Sequence, residues 1–178
     1  MLFPVLIMKS TKFPMYITEN RIFSNSQKAI SLTNKNIGEL ISGKVIYSIF
    51  EALYLVETNN AELIHIKTNK ILKEQEIIKI FSKSKDFLIN YIVFKKLKQK
   101  GYIVKTGSKF GAEFRVYDNT LNKHAKWLVY PIKQSEKSNW NEFISKNRIS
   151  HSTGKKLLMA IVDSEDNVLF YEIDWKKI

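Results

Sequence analysis

The sequence predicts an α+β protein in two parts, and three observations predict it. Its 178 residues are 44% apolar and 26% charged, the composition of a chain that buries a core rather than of a disordered or membrane-spanning one. Short apolar runs of strand length are interspersed with a few stretches of helical period. The pattern also changes near residues 82–85: residues 1–84 hold 11 basic and 7 acidic residues and are poorly punctuated, whereas residues 85–178 hold 18 and 10 and are clearly segmented.

In the first part, residues 1–35 alternate short apolar runs with Ser, Thr and Asn, which predicts short strands and turns. Lys44-Val45-Ile46-Tyr47, after Gly43, reads as a strand or a helix entry. Ser48 to Val56 reads as a helix, with Ile49, Ala52, Leu53 and Val56 at 3.6-residue spacing and Thr58-Asn59-Asn60 as its end. Asn-rich turns and short helices are expected from there to about residue 83. The stretch Ser82 to Lys85 is polar and holds no Pro or Gly, so it predicts a boundary between packed domains, residues 1–83 and 84–178.

In the second part, Asp86 to Lys100 predicts a helix whose late lysines suit the negative end of its dipole, and Gly101 stops it. Tyr102-Ile103-Val104 and Phe114 to Tyr117 read as strands, with Gly107 and Gly111 in the loop between them. Trp127 to Ile132 is apolar enough to be buried on both faces. A helix around Trp140, Phe143 and Ile144 opens on Asn139, with Glu142 placed as in a capping box. Leu157 to Val162 and Val168 to Trp175 close the pattern as two strands joined by an acidic turn.

Composition excludes more than it assigns. A net charge of +12 and a pI near 9.7 favour acidic partners such as nucleic acid without naming one. With no cysteine there is no disulfide, thiolate metal site or cysteine nucleophile. His65, His124 and His151 have no metal-ligand spacing, and the Asp163, Glu165 and Asp166 cluster lacks the calcium-loop pattern. Neither a phosphate-binding glycine loop nor a G-x-S-x-G elbow occurs. No cofactor and no metal are expected. The apolar run at Met1–Met8 is broken by Pro4, carries no basic leader and is too short to cross a bilayer. The expected location is the cytoplasm.

What remains is Tyr, His and Lys in a basic setting. These suffice for cleavage of RNA through its own 2′-hydroxyl, where the substrate brings the nucleophile. A base takes the 2′-OH proton, an acid protonates the departing 5′-oxygen, and a cation meets the charge developing on phosphate.

The run Gly-Tyr-Ile-Val-Lys-Thr-Gly-Ser-Lys-Phe-Gly-Ala-Glu-Phe-Arg-Val-Tyr at 101–117 resembles the catalytic domain of archaeal tRNA-intron (tRNA-splicing) endonucleases. The similarity continues through His124-Ala-Lys-Trp-Leu-Val and resumes from Arg148 to Asp163, so that it spans about 85–178. The first half resembles the family only loosely, around Phe50 to Glu57. The resemblance implies a C-terminal nuclease domain with a mixed β-sheet flanked by helices. It also implies Tyr117 as the base for the 2′-OH, His124 as the acid, and Lys155 as the stabiliser of the transition state. Gly154 stands where many relatives have Arg, so spacing decides for Lys155 over Lys156. Arg148 matches an arginine that grips a flipped bulge base, with Phe170 or a neighbour as its partner.

By the same resemblance, the substrate is precursor tRNA with a bulge-helix-bulge, cut without metal to 2′,3′-cyclic phosphate and 5′-hydroxyl ends. The turn residues Asp163, Glu165 and Asp166 would enter a basic cleft of another subunit, and the last strand would pair across a dimer axis. A dimer or tetramer follows. The divergence of the first half favours a heterotetramer with a structural subunit over four identical chains. A non-catalytic RNA-binding or assembly subunit of the same complex is the alternative, and the presence of Tyr117, His124 and Lys155 weighs against it. His151 and His65 read as structural, and Trp127, Trp140 and Trp175 as core or interface residues.

Overall fold

The computed structural model describes residues 12–19, 21–82, 84, 86–118 and 124–176. They form two compact units, one ending at Ile80 and the other beginning at Phe81. Each is built on a mixed sheet with helices, which makes the fold α+β. Among the described residues, no helix is long and apolar enough to cross a membrane.

The first unit contains β1 (Phe13–Ile17), β2 (Ile22–Ser24), α1 (Gln27–Thr33), β3 (Glu39–Ile41), β4 (Lys44–Tyr47), α2 (Ile49–Glu57), β5 (Ala61–His65), β6 (Lys70–Leu72) and α3 (Glu74–Phe81). Its six strands lie in the order β3-β4-β2-β1-β5-β6, with β1 and β5 parallel. The expected helix after Tyr47 is α2. Ser48 accepts the Glu51 amide, and the Glu51 carboxylate returns to the Ser48 amide at 2.9 Å and to the Gly38 amide at 3.0 Å. Elsewhere the expectation is corrected. Residues 27–33 are helical rather than extended, because Ser26 caps the Ala29 amide at 3.1 Å. Residues 61–72 form a strand pair where turns and short helices are expected, because Ala61 and Leu63 alternate into the core and pair with β1.

The second unit contains α4 (Phe87–Gln99), β7 (Ile103–Thr106), β8 (Phe114–Tyr117), β9 (Trp127–Lys133), α5 (Trp140–Ser152), β10 (Lys156–Val162) and β11 (Val168–Ile173). The strand order is β11-β10-β9-β8-β7. Only β9 and β10 run parallel, with α5 as the crossover between them. α4 covers one face, its Phe94 ring 5.9 Å from Phe114. α5 covers the other, where Phe143 and Ile149 pack on Leu128, Tyr130 and Leu157. Burial of Trp127, Leu128, Val129 and Tyr130 shows why β9 reads as continuously apolar. At the start of α5, Asn139 accepts the Asn141 amide at 2.8 Å, while Glu142 pairs with Lys146 instead of completing a capping box.

Candidate active site

Strand register brings two of the expected residues to one end of the second sheet. Val116 pairs with Trp127, and Trp127 pairs with Lys156. One step further along each strand stand Tyr117, Lys126 and Lys155. Backbone bonds hold this row: the Lys126 amide donates to Val116 and the Lys156 amide to Lys126, both at 2.9 Å. Tyr117 and Lys155 are therefore two strand spacings apart, roughly 10 Å between backbones. In β8, Phe114 and Val116 are buried on the α4 face. Arg115 and Tyr117 accordingly lie on the α5 face, as strand alternation predicts.

Lys155 owes its place to the end of α5. Gly154 adopts φ +66°, a left-handed conformation that a residue with a Cβ resists. The Lys155 amide reaches back to the Ser150 carbonyl at 2.9 Å, closing a Schellman turn. This turn selects glycine at 154. The Lys155 ammonium donates to the Thr153 carbonyl at 2.7 Å and sits 4.7 Å from the centre of the Phe110 ring.

Phe110 is presented by a tight loop. A Cβ on Gly107 would come within 2.8 Å of the Phe114 backbone, so only glycine permits that approach. Gly111 then turns the chain with φ +65°. The glycines of the 101–117 motif thus shape the loop that backs Lys155. The contact between Phe110 and Lys155 is missed by sequence reasoning, because it joins residues far apart in the chain.

His124 is exposed in the connection from β8 to β9. The base of that connection is closed by an ion pair between Asp118 and Lys126 at 3.6 Å, and Lys126 also lies 4.4 Å from the Trp127 ring centre. His124 thus belongs to the loop that leaves and re-enters the sheet at the Tyr117 end. Lys156 is engaged differently. It pairs with Glu172, which also accepts the Trp127 indole N–H at 2.7 Å.

The remaining candidates separate. Arg148 is exposed on α5. Phe170 pairs with Ala160 and therefore lies on the α4 face, away from Arg148. Trp175 meets the edge of His151 at 4.5 Å. The Asp163 carboxylate is used inside its own turn, accepting the amides of Glu165 at 2.8 Å and Asn167 at 2.9 Å. The Asn167 side-chain amide, and after it those backbone bonds, hold its carboxyl below the usual range. Glu165 and Asp166 are exposed. In β11, an edge strand, Leu169 and Tyr171 are both more than half exposed.

A cavity of about 350 Å³ opens at the opposite end of β8, lined among others by Asp86, Glu113, Tyr130, Lys133 and Lys146. Burial, and then the charge of Asp86, push the Glu113 carboxyl up. Among the described residues, no three His, Asp or Glu side chains are grouped to hold a metal ion.

Residues 87–170 match the family described as tRNA intron endonuclease, catalytic C-terminal domain. The chain is also similar to proteins named tRNA-splicing endonuclease. That of Pyrococcus abyssi is 38% identical over 165 residues, covering 91% of this chain and 95% of the relative. That of Nanoarchaeum equitans is 38% identical over 155 residues, covering 79% and 99%. That of Methanococcus vannielii is 36% identical over 169 residues, covering 93% and 95%. Matches of this length extend through most of the first half as well as the second.

Proposed function

The chain belongs to the tRNA-splicing endonuclease family, and from that premise we propose that it is a catalytic chain that cuts precursor tRNA at bulge-helix-bulge junctions by metal-independent attack of the substrate's 2′-hydroxyl. The observation that carries this reading is the row at the end of the second sheet. Tyr117 and Lys155 share a face there, and the loop bearing His124 leaves and re-enters at the same end.

In the proposed reaction, Tyr117 takes the 2′-OH proton or holds that hydroxyl in line. The 2′-oxygen attacks the adjacent phosphorus and the 5′-oxygen departs with a proton from His124. Lys155 stabilises the charge that accumulates on the non-bridging oxygens. The products are a 2′,3′-cyclic phosphate and a 5′-hydroxyl, with atoms and protons balanced and no metal required. A splayed bulge suits such a protein, because side chains cannot read the deep groove of A-form RNA but can grip unstacked nucleotides. Arg148 on α5 is proposed as one such grip.

The proposed organisation is a catalytic domain from residue 84 onward acting in the cytoplasm, in an assembly with at least two active sites for the two cuts. A heterotetramer with a structural subunit and a homo-oligomer both meet that requirement. The test is incubation of purified chain in EDTA with a bulge-helix-bulge RNA, followed by analysis of product ends. Cyclic phosphate and 5′-hydroxyl termini support the reading and point to a homo-oligomer. Cleavage that requires added metal, or that leaves 5′-phosphate ends, overturns the mechanism.

A further inference from the structure

We propose that Arg115 is a phosphate-binding residue of this site, gripping a backbone phosphate beside the scissile one; the proposal rests on the chain being an RNA endonuclease. Arg115 lies two residues before Tyr117 on the same face of β8, about 7 Å along the strand and within the reach of one nucleotide step. Its Nε is buried and has no hydrogen-bond partner among the described residues. Across the strands it faces Lys105 on β7 and Leu128 on β9, neither of them an acceptor. The carboxylate two residues back, Glu113, lines the cavity that Asp86 also lines, at the other end of the strand.

A buried Nε–H of a charged guanidinium without an acceptor is costly, so an anionic partner reaching this side chain would offset that cost. The group that fits is an anion able to take a planar fork of donors, which is the geometry of a phosphate. Lys105 across from it and Lys155 two strands away make the same face positive, so a nucleic-acid strand is attracted there before any specific contact forms. Tyr117 and Lys155 serve the reacting phosphate. Arg115, one step along, fixes the strand so that the 2′-oxygen lines up.

The test uses the full chain, in whatever assembly cleaves, and a bulge-helix-bulge RNA made uncleavable by 2′-deoxy nucleotides at the cut sites. A second series of this RNA replaces each flanking phosphate, one at a time, by a neutral methylphosphonate. For the wild type, one such replacement weakens binding about tenfold. For Arg115→Ala, binding to the unmodified RNA is already about tenfold weaker and that replacement costs nothing further. Arg115→Lys, which keeps the charge without the fork, falls between the two and supplies the comparison if the alanine variant does not fold. Equal penalties in wild type and variants at every flanking phosphate, as a merely structural arginine would give, overturn the proposal. A wild type that binds but does not cut the matching cleavable RNA removes the endonuclease reading, while the Arg115 contact is still decided by the binding series. A wild type that does not bind overturns both.

Discussion

Lys155 and Lys156 are adjacent in the chain, yet their ammonium groups are held by different parts of the second unit. Lys155 rests on the Thr153 carbonyl and the Phe110 ring, whereas Lys156 is tied to Glu172 on the edge strand. Its hydrogen bond to that carboxylate, and the carboxylate's charge, hold the Lys156 ammonium above its ordinary range. Only one of the two cations is directed to the Tyr117 side of the sheet.

The two lysines therefore part company on substitution. Lys155→Ala lowers single-turnover cleavage by about 100- to 1,000-fold with RNA binding largely kept, the loss expected for one transition-state donor. His124→Ala costs a similar or larger factor. Lys156→Ala leaves the rate within about threefold. Comparable losses at 155 and 156 in a rapid-quench experiment would contradict the assignment.

Glu113 makes stability depend on pH in a defined direction. Burial and Asp86 raise its folded value, so the folded chain holds that proton more tightly than the unfolded chain. The resulting stability is complete below the unfolded value of about 4.3 and is lost as pH rises through the folded value. Glu113→Gln should therefore stabilise the protein near pH 7, with the gain vanishing below about pH 4. Urea melts at both pH values check this, and a gain independent of pH would count against it.

In the first unit, Glu51 is buried and accepts from Gly38, from the Ser48 amide and from the Ser48 hydroxyl. Glu51→Ala strands those donors and should cost at least about 2 kcal/mol. Gly38→Ala should cost about as much, since φ is +75° and an added Cβ would overlap Val45 and come 2.8 Å from Tyr47. Thermal unfolding of both variants measures this. Losses near zero would mean that the loop repacks freely.

The acidic turn divides into a pin and two outward charges. Asp163 holds the turn together, so Asp163→Ser should distort it. Glu165→Ser with Asp166→Ser leaves the turn intact and removes the exposed charge. If this turn seats on a basic cleft of another copy, that double variant shifts a larger assembly towards dimers. Light scattering shows whether the mass falls.

The second unit was legible because its strands are four residues or longer and glycines mark the breaks. Trp127 to Tyr130 could be assigned from apolar content, and the side of Tyr117 from alternation with Phe114 and Val116. The first unit resisted because β2, β3 and β6 have three residues each, too few for a period to register. All three residues of β3 are exposed although Leu40 and Ile41 are apolar, so its apolar content gives no alternation of buried and exposed positions to read. In the candidate site, Tyr117, His124 and Lys155 are named by the family resemblance of the 101–117, His124 and 148–163 stretches rather than by composition or period. Phe110 under Lys155 and Glu172 beside Lys156 could not be read, because each depends on strands or loops meeting in space.

The crossover by which α5 delivers β10 to the side of β9 also sets a timetable. Tyr117 and His124 precede Lys155 in the chain, and the lysine's place depends on the end of α5 and on β10 pairing with β9. Parallel pairing across a helix is slow to form compared with a hairpin. During synthesis the chain can expose basic surface to RNA while the row proposed for cleavage is still one member short. On the proposed roles, a nascent chain would touch transcripts before it could sever them.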